Sequence, residues 1–296
     1  MQFYQILNNL TSYYSIPKIK QFLDENGINL SKRRGQNFLL DKNILKKIVQ
    51  ASNISIDDFV IEIGGGIGHL TSFLANTGAK VLVFEIDKKL AKILNDRFKD
   101  YPNIQIVCND FLKVTFEDFI HSSEKIKIVA NVPYSITSPI LEKCFINNSY
   151  IKSMTLTVQK EFGERIVALY GTANYSSLSV ICQVYSTPKL LFTVSNSVFY
   201  PVPEVNSVVV NFDLSNNKRI YINNNDLFLK MIKAIFTSRR KTLFNSLKNN
   251  PFISFTKDQI NKSFDECSLS SMVRGEELSP DLMIKLANTL LKFNVK

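Results

Sequence analysis

The chain contains 296 residues, enough for one large α/β domain with a small appendage or for two modest domains. Its hydrophobic fraction of 45% and charged fraction of 21% are typical of a folded globular protein and exclude a disordered or collagen-like chain. The apolar runs have the length of strands, well short of the roughly 20 residues that cross a bilayer, and residues 1–17 lack the features of a secretory signal. We therefore expect a cytoplasmic protein without membrane segments.

The net charge of +10 favours a polyanionic partner, because each phosphate that a Lys or Arg neutralises releases counterions. A general excess of lysine, which only improves solubility, would explain the same value. Two short basic runs strengthen the prediction of nucleic-acid binding, although such runs are often only solvent-exposed surface. They are Lys32-Arg33-Arg34 and Arg239-Arg240-Lys241.

The metal-ligating and disulfide-forming residues are few and scattered. The four cysteines lie far apart without a Cys-x-x-Cys pair, and only two histidines are present. This pattern predicts neither a disulfide framework nor a zinc site. We expect these cysteines to be packing residues and the protein to hold no metal. The cysteines are Cys108, Cys144, Cys182 and Cys267, and the histidines are His69 and His121.

The N-terminal part of the chain predicts short apolar strands that alternate with amphipathic helices. A basic helix is expected around residues 18–23, and a helix over 39–52 has Asp41 as its N-cap. Strands are predicted at 59–63, 81–84, 104–107 and 126–130, with helices around 70–74 and 88–98. Such alternation is typical of a doubly wound, parallel sheet that helices cover on both faces.

The C-terminal part changes from mixed to wholly helical. Beyond residue 150 we expect a strand at 154–158 and a helix that includes 160–165. Two further strands, at 190–194 and 207–212, are candidates for an antiparallel pair. Helices are predicted at 227–236, 240–247, 257–264 and 281–293. The polar stretch around 214–225 therefore separates two domains. We expect an N-terminal basic extension over 1–29, an α/β domain over 30–215 and a helical domain over 216–296.

Polar residues or glycines follow four successive predicted strands, where doubly wound sheets bind their ligands. Glycines at 64, 66 and 68 let a cofactor approach the backbone, although a tight turn would use them equally well. Glu85 is placed to accept the hydroxyls of a ribose, in either a nicotinamide dinucleotide or S-adenosylmethionine. Asp110 is placed to accept the amine of an adenine, although a plain loop carboxylate would also suit this position.

The segment after the fourth strand is the most specific motif in the chain. It consists of Asn131, Val132, Pro133 and Tyr134. An aromatic exocyclic amine is a poor nucleophile because its lone pair is delocalised into the ring. The side-chain oxygen of Asn131 and the carbonyl of Val132 would accept hydrogen bonds from that nitrogen and orient its lone pair. Pro133 would stiffen the turn, and Tyr134 would offer a ring on which a flipped base stacks.

These motifs resemble those of the bacterial 16S rRNA adenine N6,N6-dimethyltransferases, a family that includes 23S-directed macrolide-resistance methylases and mitochondrial relatives. The resemblance extends over about residues 30–290. Its motifs are residues 34–39 (RGQNFL), 62–68 (EIGGGIG), Glu85, 109–110 (ND), 131–134 (NVPY), 159–165 (QKEFGER), 199–207 (FYPVPEVNS) and 239–243 (RRKTL). The chain departs from the family pattern at Gly65, Glu204 and Asn206, where Pro, Lys and Asp are commoner.

The resemblance implies a Rossmann-like class I methyltransferase sheet with a small helical domain, and S-adenosylmethionine as the cofactor. It implies that the cofactor site contains Asn37, Leu39, Gly64, Gly66, Glu85, Asp110 and Asn131. It also implies that Phe199 stacks on the target base opposite Tyr134, whereas the residues alone suggest a packing role for Phe199. The expected RNA contacts are Arg33, Arg34, Arg239, Arg240 and Lys241.

The implied reaction is dimethylation of two adjacent adenines near the 3′ end of 16S rRNA, in the small ribosomal subunit, by a protein that we expect to be monomeric. Three alternatives remain at this point. The first is a 23S-directed resistance methylase with the same chemistry, and the second is a non-catalytic ribosome-assembly factor on the same fold. The third, a nicotinamide-dependent dehydrogenase, lacks a recognisable His, Lys or Tyr-Lys proton donor.

Overall fold

A computed structural model describes residues 14–28, 30, 36–120, 125–215, 217–237, 240–248, 250–253 and 255–293. The helices of this part are α1 (Ile16–Glu25), α2 (Lys42–Ala51), α3 (His69–Ala75), α4 (Lys88–Phe98), α5 (Thr137–Ile146), α6 (Lys160–Val167), α7 (Ser177–Tyr185), α8 (Asn225–Phe236), α9 (Leu243–Lys248), α10 (Lys257–Cys267) and α11 (Pro280–Leu291). The strands are β1 (Phe38–Leu39), β2 (Phe59–Ile63), β3 (Lys80–Phe84), β4 (Ile104–Val107), β5 (Ile126–Asn131), β6 (Ile151–Gln159), β7 (Thr187–Val194), β8 (Phe199–Tyr200) and β9 (Ser207–Asp213).

Seven of these strands form one mixed sheet in the order β4-β3-β2-β5-β6-β9-β7. The neighbours from β4 to β6 are parallel, and β9 runs antiparallel to β6. The predicted parallel α/β sheet is therefore confirmed for the first five strands. The segments 190–194 and 207–212, predicted as possible partners, are neighbours in this sheet. A separate antiparallel ladder joins β1 to β8 and pairs Leu39 with Phe199.

Aspartate N-caps fix where two helices begin next to the strand ends. The Asp41 carboxylate accepts hydrogen bonds from the amides of Asn43 and Ile44, as predicted, and α2 begins at Lys42. Asp87 caps α4 in the same way, which leaves only two residues between the end of β3 and the cap. This short connection holds Glu85 at the carboxyl end of the sheet.

The chain divides into two compact units. The sheet unit comprises Met1–Gly163 and Lys189–Leu214, and the helical unit comprises Glu164–Pro188 and Ser215–Lys296. The predicted boundary at 215/216 lies one residue from this division, but residues 164–188 group with the C-terminal helices instead of the α/β domain. Long-range hydrogen bonds explain the difference. The Tyr175 hydroxyl donates to the Leu278 carbonyl, and the Tyr185 hydroxyl donates to Asn225.

The described part of the expected N-terminal extension packs on the sheet unit instead of extending from it. The apolar face of α1 buries Ile19, Phe22 and Leu23, and these side chains belong to one cluster with Phe38 and Leu90. Such burial stabilises by about 1.5–3 kcal/mol for each large apolar side chain. The helix is therefore an integral part of this unit, even though its outer face carries lysines.

Neither membrane helices nor metal clusters occur in the described ranges. No helix there combines the length and apolarity needed to span a bilayer, and no three His, Cys, Asp or Glu side chains lie together as ligands. The four cysteines are free thiols, three of them buried. Burial raises the pKa of the Cys144 and Cys182 thiols, which agrees with their predicted packing role.

Candidate active site

A cavity of about 560 Å³ lies at the carboxyl ends of β2, β3, β4 and β5 in the sheet unit. This volume is within the range of about 300–1,000 Å³ that small-molecule sites occupy. All seven residues predicted for the cofactor site lie in its lining. They are Asn37, Leu39, Gly64, Gly66, Glu85, Asp110 and Asn131.

The glycine-rich turn after β2 forms one wall of the cavity. Gly64, Gly66 and Gly68 have φ values of +78°, +57° and +86°, a left-handed conformation that side chains disfavour. A Cβ at Gly66 would also lie only 3.0 Å from Phe38 Cε1. Any larger residue would therefore push the backbone out of its present path and close part of the cavity. Gly65, where the family pattern has Pro, packs tightly, since a Cβ there would lie 2.5 Å from Val83 Cγ1.

Glu85 is held rigidly at the end of β3. One carboxylate oxygen accepts a hydrogen bond of 2.8 Å from the Gly66 amide, and the other accepts one of 2.9 Å from the Asp87 amide. The side chain is 4% exposed, and burial raises its pKa although the two amides act in the opposite direction. Each oxygen keeps a second lone pair, so the carboxylate can still accept hydroxyl donors from a ligand.

Glu62 is a second buried carboxyl group in the lining, at the end of β2. It is 1% exposed, and its Oε2 atom has no hydrogen-bond partner among the described residues. Burial, together with the negative charge of Glu85, raises the pKa of Glu62 to about 8. Burial therefore favours the neutral form of the carboxyl group, although hydrogen bonding with Thr71 acts in the opposite direction.

Asn131 occupies the last position of β5 and is oriented by the backbone. Its Nδ2 atom donates a hydrogen bond of 2.9 Å to the carbonyl of Asn37. A carbonyl can only accept, so the contact fixes which end of the amide faces the Asn37 backbone. The Oδ1 atom of Asn131 therefore remains the acceptor end of a side chain that lines the cavity.

Tyr134 is anchored at the far end of its side chain. Its hydroxyl lies 2.7 Å from the Ser207 hydroxyl on β9, and burial raises its pKa. A turn that begins at Pro133 (φ −55°) carries the ring, and the Ile136 amide donates to the Pro133 carbonyl at 3.0 Å. Because both the backbone and the hydroxyl are held, the ring is a fixed part of the cavity wall.

Asp110 lies in the loop after β4, between polar and apolar neighbours. One of its carboxylate oxygens accepts the Leu112 amide at 2.9 Å, and its own amide donates to the Asn109 side chain at 2.8 Å. Ile86 and Phe111, which directly follow Glu85 and Asp110 in the chain, line the same cavity. Ile86 is 55% exposed, so its apolar side chain is available to a ligand.

Phe199 does not lie in the cavity, where the resemblance predicts that it stacks on the target base. Its pairing with Leu39 in the β1–β8 ladder places the ring in the hydrophobic core of the sheet unit, where it is 1% exposed. It does not belong to the cavity lining. The structure therefore supports the packing role, and the ring has no free face on which a base could stack in this conformation.

The predicted RNA contacts are only partly visible. Arg33, Arg34 and Arg239 lie outside the described residues. Arg240 and Lys241 are both exposed and precede α9 in the helical unit. Their exposure leaves both side chains accessible to a polyanion, and their role in RNA binding stays a prediction.

The cavity lining also contains residues that sequence reasoning did not assign to the site, among them Glu62, His69 and Ile86. His69 begins α3, and its Nδ1–H donates to the Leu39 carbonyl at 2.9 Å, which ties the glycine-rich turn to β1. Glu62 had a usable signal, because a single acidic residue in an otherwise apolar buried strand needs a partner or a function. Ile86 and His69 had none.

Comparison with known proteins identifies the family. Residues 27–291 match the family model for ribosomal RNA adenine dimethylase. The chain is 40% identical to the ribosomal RNA small subunit methyltransferase A of Streptococcus pneumoniae over 284 residues (94% of this chain and 97% of the relative). It is 36% identical to the protein of the same name from Clostridium acetobutylicum over 273 residues (92% and 98%).

Two solved structures resemble the chain over most of its length. A dimethyladenosine transferase from Plasmodium falciparum is 28% identical, with a TM-score of 0.74 over 86% of this chain and 96% of that one. The 23S rRNA methyltransferase ErmE is 26% identical, with a TM-score of 0.66 over 86% and 99%. The chain therefore belongs to the ribosomal RNA adenine dimethylase family, and it is an S-adenosylmethionine-dependent rRNA methyltransferase.

Proposed function

We propose that the protein dimethylates N6 of two adjacent adenines near the 3′ end of the small-subunit rRNA. The observation that carries the proposal is the hydrogen bond from Asn131 Nδ2 to the Asn37 carbonyl. It leaves Oδ1 of Asn131 as an oriented acceptor in the cavity wall, next to Tyr134. An acceptor beside an aromatic ring suits a target that is both a planar base and an amine donor.

The residues of the cavity fit S-adenosylmethionine, which supplies a methyl group on an electrophilic sulfonium. Glu85 would hold the ribose hydroxyls, because both of its oxygens are already oriented by amides. Asp110 would accept the adenine amine, with Ile86 and Phe111 as apolar surfaces for the ring.

The chemical contribution of the protein would be to position the target nitrogen. Asn131 Oδ1 and the Val132 carbonyl would accept the two N6 hydrogens and turn the lone pair out of the plane of the base. Tyr134, fixed by Ser207, would hold the base by stacking. Positioning of this kind can contribute about 7–11 kcal/mol to lowering a bimolecular barrier. No general base is required, since the methylated nitrogen can lose its proton to water.

The RNA partner would bind through exposed cations. Arg240 and Lys241 lie in the helical unit, and with Arg239 they form one of the two basic runs of the sequence. Phosphate contacts of this kind set affinity without reading bases, as expected for a structured RNA. We propose that the chain acts as a monomer on the small ribosomal subunit.

A second candidate is methylation of 23S rRNA, because ErmE shares the fold with a TM-score of 0.66. The small-subunit target is favoured by the curated relatives, which are 36–40% identical and named for the small subunit. Both candidates use the same cavity and the same nucleophile, so only the substrate separates them.

The experiment uses the purified protein, tritiated S-adenosylmethionine and small ribosomal subunits that lack adenine dimethylation, with naked 23S rRNA in parallel. We expect label in N6,N6-dimethyladenosine from the small subunit. Label in 23S rRNA alone would replace the proposal by the second candidate. Tight binding of the subunit without any methyl transfer would make the protein an assembly factor and contradict the proposal.

A further inference from the structure

We propose that an exposed tyrosine in the helical unit, Tyr170, stacks on an unpaired base of the rRNA and forms a second contact, distinct from the pocket for the target adenine. The inference rests on the proposed function, because it assigns a part of the RNA interface. Tyr170 lies between α6 and α7, in the segment of residues 168–174 that we call the 168–174 loop. The loop carries two of the most exposed large side chains of the unit, Leu169 (66%) and Tyr170 (54%).

The backbone of this loop is well held. The Thr172 amide and hydroxyl both donate to the Leu169 carbonyl, at 3.2 and 2.6 Å, and the Tyr175 amide donates to the Thr172 carbonyl at 3.2 Å. Gly171 supplies the left-handed residue of the turn, with φ +78°. An exposed aromatic side chain on an ordered turn loses little entropy when it binds, which favours a contact role.

The base of the loop is anchored in the core of the helical unit. Tyr175 is fully buried, its hydroxyl donates to the Leu278 carbonyl at 2.9 Å, and its ring lies edge-on to Phe236. The Gly171 amide donates to the Glu276 carbonyl at 2.7 Å. The loop is therefore fixed from below while its tip stays exposed. Folding alone does not require this exposure, because a polar tip would satisfy the same anchors.

The segment that anchors the loop also links it to the cations of the unit. The Leu243 amide donates to the Val273 carbonyl at 2.8 Å, so the segment 270–278 touches both the loop and the start of α9. Arg274, on this segment, is exposed, and Arg240 and Lys241 immediately precede α9. Met272, 74% exposed, adds apolar surface on the same segment.

The charges around the loop favour a base over a phosphate at Tyr170 itself. Glu276 and Glu277 follow Arg274 on the segment that bonds to the loop. The carboxylate of the exposed Glu277 would repel a phosphate, whereas a neutral base stacks on a tyrosine ring without a charge penalty. The arginines and the lysine would hold the phosphates on either side of that base. Base-on-aromatic stacking is the usual way in which proteins hold unpaired RNA bases.

The test measures binding of full-length variants to naked 16S rRNA and to small subunits that lack dimethylation, at three salt concentrations. Tyr170→Ala should weaken binding to both about 5- to 100-fold, without changing the slope of log affinity against log salt. Tyr170→Phe should bind like the wild type, because the ring is kept. Tyr221→Ala is the matched control, since Tyr221 is a 64% exposed tyrosine elsewhere in the same unit.

Three results would overturn the inference. They are unchanged affinity of Tyr170→Ala, a loss in Tyr170→Phe as large as in Tyr170→Ala, and a loss for the subunit but not for naked rRNA, which would indicate a protein contact. Thermal unfolding of each variant, followed by circular dichroism, checks that the helical unit is folded. Methyl transfer by the wild type tests the proposed function separately, so failure at Tyr170 and failure of the proposed function remain distinguishable.

Discussion

The cavity of the sheet unit and the 168–174 loop of the helical unit hold their side chains in opposite ways. In the cavity, Glu85 and Asn131 are themselves bonded to backbone groups, so the atoms that face a ligand have fixed positions. In the loop, hydrogen bonds hold the backbone, while the Tyr170 side chain is exposed. The first arrangement suits a reaction that needs positions accurate to a fraction of an ångström. The second suits a large RNA, which is recognised by charge, shape and stacking.

This difference predicts that changes in the sheet unit act on stability or on the methyl-transfer rate with large effects. Changes on the surface of the helical unit should instead act on RNA affinity in small, graded steps.

Phe199→Ala should have the largest effect, on folding. The ring is 1% exposed in the same buried cluster as Leu39 and Leu45, so its removal leaves a cavity. We expect the free energy of unfolding, measured with urea, to fall by about 3–5 kcal/mol. Phe192→Ala, at the partly buried edge of the cluster, should cost less. A loss below about 1 kcal/mol, with methyl transfer abolished in the folded protein, would restore Phe199 to the base-stacking role.

Asn131→Ala should lower kcat for methyl transfer at least 100-fold, which corresponds to about 2.7 kcal/mol of transition-state stabilisation. The variant removes the oriented acceptor and leaves the Asn37 carbonyl without this donor. Its melting temperature should stay close to that of the wild type, since Asn131 is only partly buried at a strand end. Asn76→Ala, at an exposed position of the same unit, is the control. Activity of Asn131→Ala within tenfold of the wild type would contradict the assigned role.

Glu62→Gln should change how stability depends on pH. The carboxyl group has a pKa of about 8 in the folded protein, far above the ordinary value of 4.5. The folded state therefore holds this proton more tightly than the unfolded state does, and the associated stability is lost as the pH rises from 4.5 to 8. The wild type should lose about 1.4 kcal/mol per pH unit relative to the variant in this interval. Urea unfolding of both proteins between pH 5.5 and 9 measures this loss of unfolding free energy. If the stability of the two proteins depends on pH in the same way, the pKa of Glu62 is not raised and the prediction is wrong.

Much of the cavity could be predicted from the sequence because it follows from one repeated rule. Glu85, Asp110 and Asn131 lie at the ends of strands or within three residues after them, and parallel strands bring their carboxyl ends to one edge of the sheet. The order of elements, with helices between strands, is enough to place them together. The N-cap of α2 was equally predictable, since Asp41 acts on amides only two and three residues away.

The remaining features depend on contacts between distant parts of the chain. The Asn131–Asn37 bond spans 94 residues, and the bond from Tyr175 to Leu278, which draws residues 164–188 into the helical unit, spans 103. Phe199 is buried by a ladder of two-residue strands, too short to show a periodic pattern. The raised pKa of Glu62 depends on its burial and on the charge of Glu85, and the local sequence of β2 does not show that Glu85 is near.

The double substitution Arg240→Gln and Lys241→Gln should have the smallest effect, and it should change RNA binding only. Both side chains are exposed in the helical unit, so their loss should leave stability and S-adenosylmethionine affinity unchanged. Binding to small subunits should become less dependent on salt, by about 0.7–0.9 in the log–log slope for each phosphate contact removed. Lys257→Gln with Lys262→Gln, two exposed lysines on α10, removes the same charge elsewhere in the unit. If the two double variants change the slope equally, the helical unit attracts RNA by its net charge alone. The prediction of a local phosphate contact at Arg240 and Lys241 is then wrong. If only the first double variant changes the slope, the phosphates are held beside α9, next to the segment that carries the 168–174 loop.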